Sequence, residues 1–185
     1  MAEQQAPSAA SVTRVGPSTF DPRLFRKALG QFATGVAVIT GLSPTGERLG
    51  MTVSSFNAVS LDPPLVLFSI ARRARSLPAM LELEGYAINI LSRGQAHLSG
   101  QFARPASDKW AEVDHLTGHA GAPLLPGALA HFECAAHAHH DGGDHVIFVG
   151  RVVSFAWNDE TEPLVFFRGA YREVNASRDE PASSC

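Results

Sequence analysis

From Gly50 to Phe56 apolar and polar residues alternate, and after Pro63-Pro64 the chain becomes an unbroken apolar run, Leu65 to Ile70. The alternation predicts an extended strand with Thr52, Ser54 and Phe56 on one face and Met51, Val53 and Ser55 on the other. The apolar run predicts a central strand covered on both sides. Upstream, Asp21-Pro22 is a helix start, an N-cap followed by a residue whose fixed φ suits the first turn. Leu24, Phe25, Ala28, Leu29 and Phe32 then recur at helical spacing, so this helix is expected to lie across a sheet. From Gly35 the period becomes that of a strand, with Val36, Val38 and Thr40 on one face, and Ser43-Pro44-Thr45-Gly46 turns it back into the hydroxyl-bearing strand as a hairpin.

The remaining pattern predicts a short amphipathic helix over Ser76 to Leu83, a strand from Tyr86 to Leu91 and a helical stretch from Gln95 to Phe102. Long strands follow at Ala128 to His139, His145 to Trp157 and Pro163 to Phe167. The first two are joined by Asp141-Gly142-Gly143-Asp144, a turn rich in residues that tolerate left-handed backbone. There is no internal repeat. Many strands, mostly hairpin connections and peripheral helices predict a mainly β fold, an antiparallel barrel. Residues 1–19 and 175–185 are polar and aperiodic and read as flexible tails, leaving one folded domain over 20–174.

Composition narrows the function. The 185 residues suffice for one domain with a real core. With 45% hydrophobic and only 18% charged residues, part of the surface is expected to be covered by a partner or ligand, self-association included. A net charge of −3 gives no footprint for nucleic acid; Arg72, Arg73 and Arg75 form the one dense basic run. No apolar stretch is long enough to span a bilayer and no secretion-signal pattern opens the chain, so a cytoplasmic, membrane-free protein is expected. Cys134 and Cys185 do not imply a disulfide framework.

Three hydroxyls within Thr52 to Ser55, beside a buried strand, point to a polar ligand. Arg72 to Ser76, RRARS, leaves the apolar strand and opens a helix, which brings arginines, the Ser76 hydroxyl and backbone N–H groups together as a candidate phosphate site. Phe102-Ala103, Arg104-Pro105 and Asp108-Lys109-Trp110 read locally as a helix end and a loop. His145 follows the Gly-Gly turn, where its ring can reach over a pocket. Arg168-Gly169-Ala170-Tyr171-Arg172 closes the last strands with a glycine that permits close backbone approach, an aromatic ring and two cations. His137 and His139 share a strand face beside His140, Asp141, Asp144 and His145, but a His-x-His pair supplies two ligands where a catalytic metal site takes three, so these are read as surface histidines.

Taken in order, FRKALGQFATGVAVIT, GMTVSSFNAVSLDPPLVLFSI, RS at 75–76, LSGQFA, DKW, GGDHVIFVGRV and RGAYREV resemble the short-chain flavin reductase family, from Phe25 to Val174. The resemblance implies a split β-barrel that binds FMN or FAD, usually as a homodimer. It implies reduction of that flavin by NADH or NADPH and release of reduced flavin to a flavin-dependent monooxygenase. It places Thr52, Val53, Ser54 and Ser55 along the ribityl chain and ring edge, Ala71, Arg75 and Ser76 toward the phosphate, and Phe102 and Ala103 against the flavin from the helix end. It sets His145 by the nicotinamide as the catalytic, positioning histidine, with Arg168, Gly169 and Tyr171 closing that side. Ala74 stands where relatives carry a hydroxyl residue, which thins the phosphate end and leaves the choice between FMN and FAD open. Two rival readings are a flavin-binding barrel without turnover, and a metal-dependent β-barrel enzyme using His137, His139 and a remote ligand.

Overall fold

The computed structural model describes residues 15–16, 20–104 and 108–174. Apart from residues 15 and 16, the two expected tails lie outside the described residues, as do Pro105 and Cys185. The expectation of an antiparallel barrel is met: a seven-stranded sheet, wholly antiparallel, runs β3-β2-β6-β9-β10-β5-β4. Its strands are β2 (Ala37–Leu42), β3 (Arg48–Val53), β4 (Asn57–Leu61), β5 (Pro64–Ala71), β6 (Gly85–Ile90), β9 (Ala130–Gly142) and β10 (His145–Trp157). Separate from it are a three-stranded sheet of β1 (Thr34–Gly35), β11 (Val165–Phe167) and β12 (Ala170–Arg172), and a small pair, β7 (Leu116–Thr117) with β8 (Pro123–Leu124).

Alternating side chains divide the packing between two cores. Ala37 and Ile39 of β2 enter the barrel with Leu49, Met51, Val66, Ile70, Ile88 and Cys134. There Phe68 stacks on Phe148 at 5.1 Å and meets Tyr86 edge-on at 5.0 Å, the offset and edge geometries that aromatic rings prefer. Val36 and Val38, on the opposite face, pack outside with Leu91, Phe102, Leu125 and Leu164 under helix α3 (Ala96–Ala103). Burial pushes the Cys134 thiol up to about 12, which makes it an inert core group.

Beside these cores lies a fully buried polar network. Asn89 of β6 donates from its amide nitrogen to the Val38 carbonyl and to Thr40 Oγ1, each at 3.0 Å, while its Oδ1 accepts from the Leu125 N–H at 2.8 Å. Thr40 donates in turn to the Pro123 carbonyl. With the Asn89 amide so oriented, its Oδ1 can only accept from His131 Nδ1, 3.0 Å away, which fixes the proton on that ring nitrogen.

Several expectations need correction. The strand from Gly50 ends at Val53, the chain bends through Ser54–Phe56, and β4 pairs with β5 at the far edge of the sheet, so one apparent strand is two. β5 has one face in the core, Val66, Phe68 and Ile70, while Leu65, Leu67 and Ser69 on the other are only half-buried, because no second layer covers them. Helix α1 (Pro22–Leu29) starts as expected, with the Asp21 carboxylate accepting from Arg23 N at 2.7 Å. It does not lie on a sheet: Leu24, Phe25, Leu29 and Phe32 are 42–76% exposed. The segment that follows this helix is held to the β11–β12 turn, where Arg168 N donates to Gly30 O at 3.0 Å, and that leaves the apolar stripe bare. The Ser76 helix, α2, is only five residues, Leu77–Leu81.

Candidate functional site

At the open edge of the barrel, β3 pairs only with β2; Trp110 Nε1 and Lys109 Nζ take the Arg48 and Gly50 carbonyls, and the Thr52–Val53 end of the strand is left available to a ligand. Opposite it, Ala71 ends β5 and the chain runs through Arg73–Ser76 into α2. Between them is a cleft of about 1200 Å³. Thr52, Val53, Ser54, Ser55, Ala71, Arg75, Ser76, Phe102, Ala103 and His145 all line it. Arg168, Gly169 and Tyr171 do not. Arg168 and Gly169 form the β11–β12 turn with φ of 53° and 78°; nothing stands where a Gly169 Cβ would be, so the glycine serves the backbone angle there and not a close approach. Arg168 Nε donates to Gln31 Oε1 at 2.8 Å. The Tyr171 hydroxyl donates to Ser99 Oγ at 2.7 Å, and the Ser99 carbonyl accepts from Thr52 at 2.7 Å, so Tyr171 reaches the cleft wall through one residue.

The hydroxyls of the cleft divide by duty. Thr52 ties β3 to α3. Ser55 Oγ accepts from Ser69 N at 2.9 Å and donates to Ser69 O at 3.3 Å, which draws the end of β3 onto β5 and closes the barrel at that point. Ser54, exposed, and Ser76, at the N-cap position without a capping bond, keep their hydroxyls for a ligand. The basic run divides likewise. Arg72 donates from Nε to Gly143 O and from Nη2 to Asp141 Oδ1, both at 2.8 Å, and its N–H bonds Asp144 O at 2.9 Å. It is therefore a brace for the β9–β10 hairpin; of the basic run, Arg73 and the expected Arg75 line the cleft.

That brace positions His145 at the first residue of β10, paired with Ala71. His145 Nδ1 lies 2.6 Å from Asp144 Oδ1, which leaves Nε2 as the free ring nitrogen. The same contact holds the Asp144 carboxyl below its usual range. Along the wall formed by the end of α3, Gln101 Nε2 donates to Lys109 O at 3.1 Å and Ala111 O at 2.9 Å, and Trp110 Nε1 donates to Arg48 O at 2.8 Å. Lys109 Nζ donates to Gly50 O at 3.0 Å and Phe102 O at 2.9 Å, and burial lowers its ammonium below the ordinary value. Gly50 is required here: a Cβ would stand 2.4 Å from the Phe102 ring. Sequence reasoning gave Lys109 and Trp110 no role of their own; their signal was the DKW triplet, which local periodicity cannot distinguish from a plain loop. His137, His139 and His140 are exposed and outside the cleft, and among the described residues no three metal-ligating side chains cluster. No described helix is long and apolar enough to cross a membrane.

The donor set fits a phosphorylated flavin: free hydroxyls and guanidinium groups at Ser54 and Arg73–Ser76, the open Thr52–Val53 end of β3, and a wall of Phe102 and Trp110 rings. Comparison with known proteins agrees with it. Residues 29–175 match the model of the flavin reductase like domain. The chain is 45% identical over 152 residues to the reductase subunit of a stachydrine N-demethylase from Rhizobium meliloti, covering 82% of this chain and 66% of that one. It is 43% identical to a probable flavin reductase of the same organism, covering 82% of this chain and 49% of the relative, so it spans about half to two thirds of the length of these two proteins. It is 39% identical to HsaB, a flavin-dependent monooxygenase reductase subunit from Rhodococcus jostii, over 91% of this chain and 86% of the other. Among solved structures it resembles a Streptomyces globisporus NADH:FAD oxidoreductase in complex with NAD and FAD fragments, with TM-score 0.84, 37% identity, and coverage of 91% and 100%.

Proposed function

This chain belongs to the flavin reductase-like domain family, and on that premise we propose that it is an NADH- or NADPH-dependent flavin reductase that passes reduced FMN or FAD to a flavin-dependent monooxygenase. The observation that carries the reading is the cleft of about 1200 Å³ in which Ser54, Arg73, Arg75 and Ser76 keep their donors free beside the open Thr52–Val53 end of β3. A flavin ring accepts hydride at N5 from nicotinamide C4, so the chain need supply no covalent partner.

The work left to the residues is alignment. Arg73, Arg75 and Ser76 take the phosphate; charge-assisted bonds of this kind contribute roughly 1.5–3 kcal/mol each. Ser54 and the open Thr52–Val53 end of β3 take the ribityl chain and the ring edge, with Phe102 and Ala103 closing that wall. His145, held by Asp144 through Nδ1, offers Nε2 to the nicotinamide and positions it; well-aligned reactants contribute up to roughly 7–11 kcal/mol toward a barrier. Arg168, Gly169 and Tyr171, away from the cleft of the single chain, close the nicotinamide side of the site. A homodimer accounts for the bare apolar stripe of α1 and for Phe155 and Trp157, which stack on one another at 6.1 Å while 63% and 64% exposed.

The test is steady-state oxidation of NADH and NADPH with FMN, FAD and riboflavin in excess. Turnover with at least one pair is expected, and the pattern gives both preferences. Tight flavin binding without turnover would replace the reductase by a flavin-carrying module.

A further inference from the structure

The cleft does not stop at its phosphate end. Asn57 pairs with Leu67, and Ser55 Oγ bonds both N and O of Ser69, so residues 71–76 run back alongside β3, from Val53 toward Arg48. His145, paired with Ala71, marks the ring end of the site, and Arg75 and Ser76 mark the phosphate end. Farther in the same direction the cleft is still lined, by Gly46, Glu47, Arg48 and Trp110. From Val53 to Arg48 the strand covers about 16 Å at the usual rise. The cleft volume of about 1200 Å³ also exceeds the roughly 300–1,000 Å³ of a pocket for one small ligand.

At that far end Arg48 is held ready for a ligand. Its side chain is exposed, yet the guanidinium lies over the Trp110 ring, 5.5 Å from the centroid, and Nη1 is 3.4 Å from His115 Nε2. The indole beneath it is itself fixed: Nε1 donates to the Arg48 carbonyl at 2.8 Å, and Phe102 and His115 meet it edge-on at 5.0 and 5.5 Å. Glu47 and Asp108 line the same end, but among the described residues the ion pairs are those of Arg72, Arg93 and His145, so no carboxylate neutralises Arg48. It therefore presents a flat cation of set orientation, with donors at its rim. Such a group takes an aromatic ring on its face and a phosphate at its edge.

FMN ends at its phosphate, whereas FAD continues through a second phosphate and a ribose to a flat adenine. We propose that Arg48, carried on Trp110, is the subsite for the adenosine half of FAD, so that this chain takes FAD in preference to FMN. The proposal rests on the reading of the cleft as a flavin site with its phosphate at Arg73–Ser76. An arginine that rested on the indole only to cover it would serve both flavins alike.

The test measures by calorimetry the affinity of wild type, R48A and R48K for FAD and FMN, with thermal unfolding and the KM for NADH alongside. Wild type is expected to bind FAD tenfold or more tightly than FMN. R48A should lose fivefold or more toward FAD and less than twofold toward FMN, with the KM for NADH measured on FMN unchanged. R48K keeps the charge but not the flat face, and should resemble R48A. Equal affinity of wild type for the two flavins, equal losses in R48A, a loss that falls on NADH instead, or an R48K that matches wild type would each overturn the proposal. Should R48A not fold, wild type decides: 5′-AMP displaces FAD and leaves FMN bound if the proposal holds, and displaces both or neither if it does not. A wild type that binds neither flavin refutes the flavin reading itself and is thereby distinguished from a failure of the role given to Arg48.

Discussion

Replacing Asn89 by Ala tests the polar network that joins β2 and β6 to the loop before β9. Asn89 is fully buried, as is Thr40. The substitution orphans the Leu125 N–H, and a buried donor left without a partner costs about 1–3 kcal/mol. It removes the amide that bonded Thr40 Oγ1, and it leaves a small cavity worth roughly 1 kcal/mol. A loss of about 3–4 kcal/mol follows, which for a domain of this size is a fall in Tm of roughly 6–16 °C. Urea unfolding measures it, with the m-value checked for constancy so that the change is one of stability and not of cooperativity. Thr40→Val, which orphans the Pro123 carbonyl and one Asn89 N–H, should cost about 1–3 kcal/mol, and the double variant should fall short of the sum because the two side chains share a bond. A loss below about 1 kcal/mol for Asn89→Ala would refute the reasoning, since it would mean that water enters and satisfies the freed groups.

Four further outcomes are expected. Burial holds His131 below its ordinary value against the opposing pull of Glu133; the unfolded chain then takes up a proton first as the pH falls through about 6.5, so stability is full above that pH and declines below it, and His131→Gln should flatten the decline in a urea series across pH. The Tyr86 phenol oxygen is buried with no hydrogen-bond partner and its ring packs edge-on to Phe68, so Tyr86→Phe should leave Tm unchanged or raise it, by up to about 1–2 kcal/mol of stability; a clear fall would reveal a hidden partner. Gly50→Ala should destabilise by about 1–3 kcal/mol through overpacking against Phe102, read by thermal unfolding, and should weaken flavin binding because the same ring lines the cleft. Arg72→Ala, at a half-exposed pair, should cost under about 1 kcal/mol globally, yet hasten hydrogen exchange at Gly143 and raise the nicotinamide KM by loosening the turn that presents His145.

Local patterns carried much of this fold. The strand His145–Trp157 and the capped start of α1 at Asp21-Pro22 could be read from period and turn chemistry because each is decided by neighbours in sequence. The separation of β3 from β4 could not: alternation continues through Ser54 to Phe56, and what divides the strands is that β2 claims one and β5 the other. The sheet β1-β11-β12 joins Thr34 to Phe166, a pairing that no window of the sequence contains. The cleft followed the same division. Its hydroxyl segment and Ser76 stood out in the sequence, but which groups are free does not: Arg72, Thr52 and Ser55 look like ligand-binding residues and are spent on the scaffold, whereas Lys109 looks like a loop residue and stands in the wall of the cleft.

The central claim, that a flavin docks with its phosphate at Arg73–Ser76 and is reduced there, is tested most directly by anaerobic bleaching of FMN and of riboflavin by NADH, catalysed by wild type and by Arg75→Ala. The account predicts that both flavins are reduced by wild type, and that the variant raises the KM for FMN about tenfold or more while leaving riboflavin, which has no phosphate, unchanged. Equal effects on the two flavins, or no catalysed bleaching of either, would contradict it.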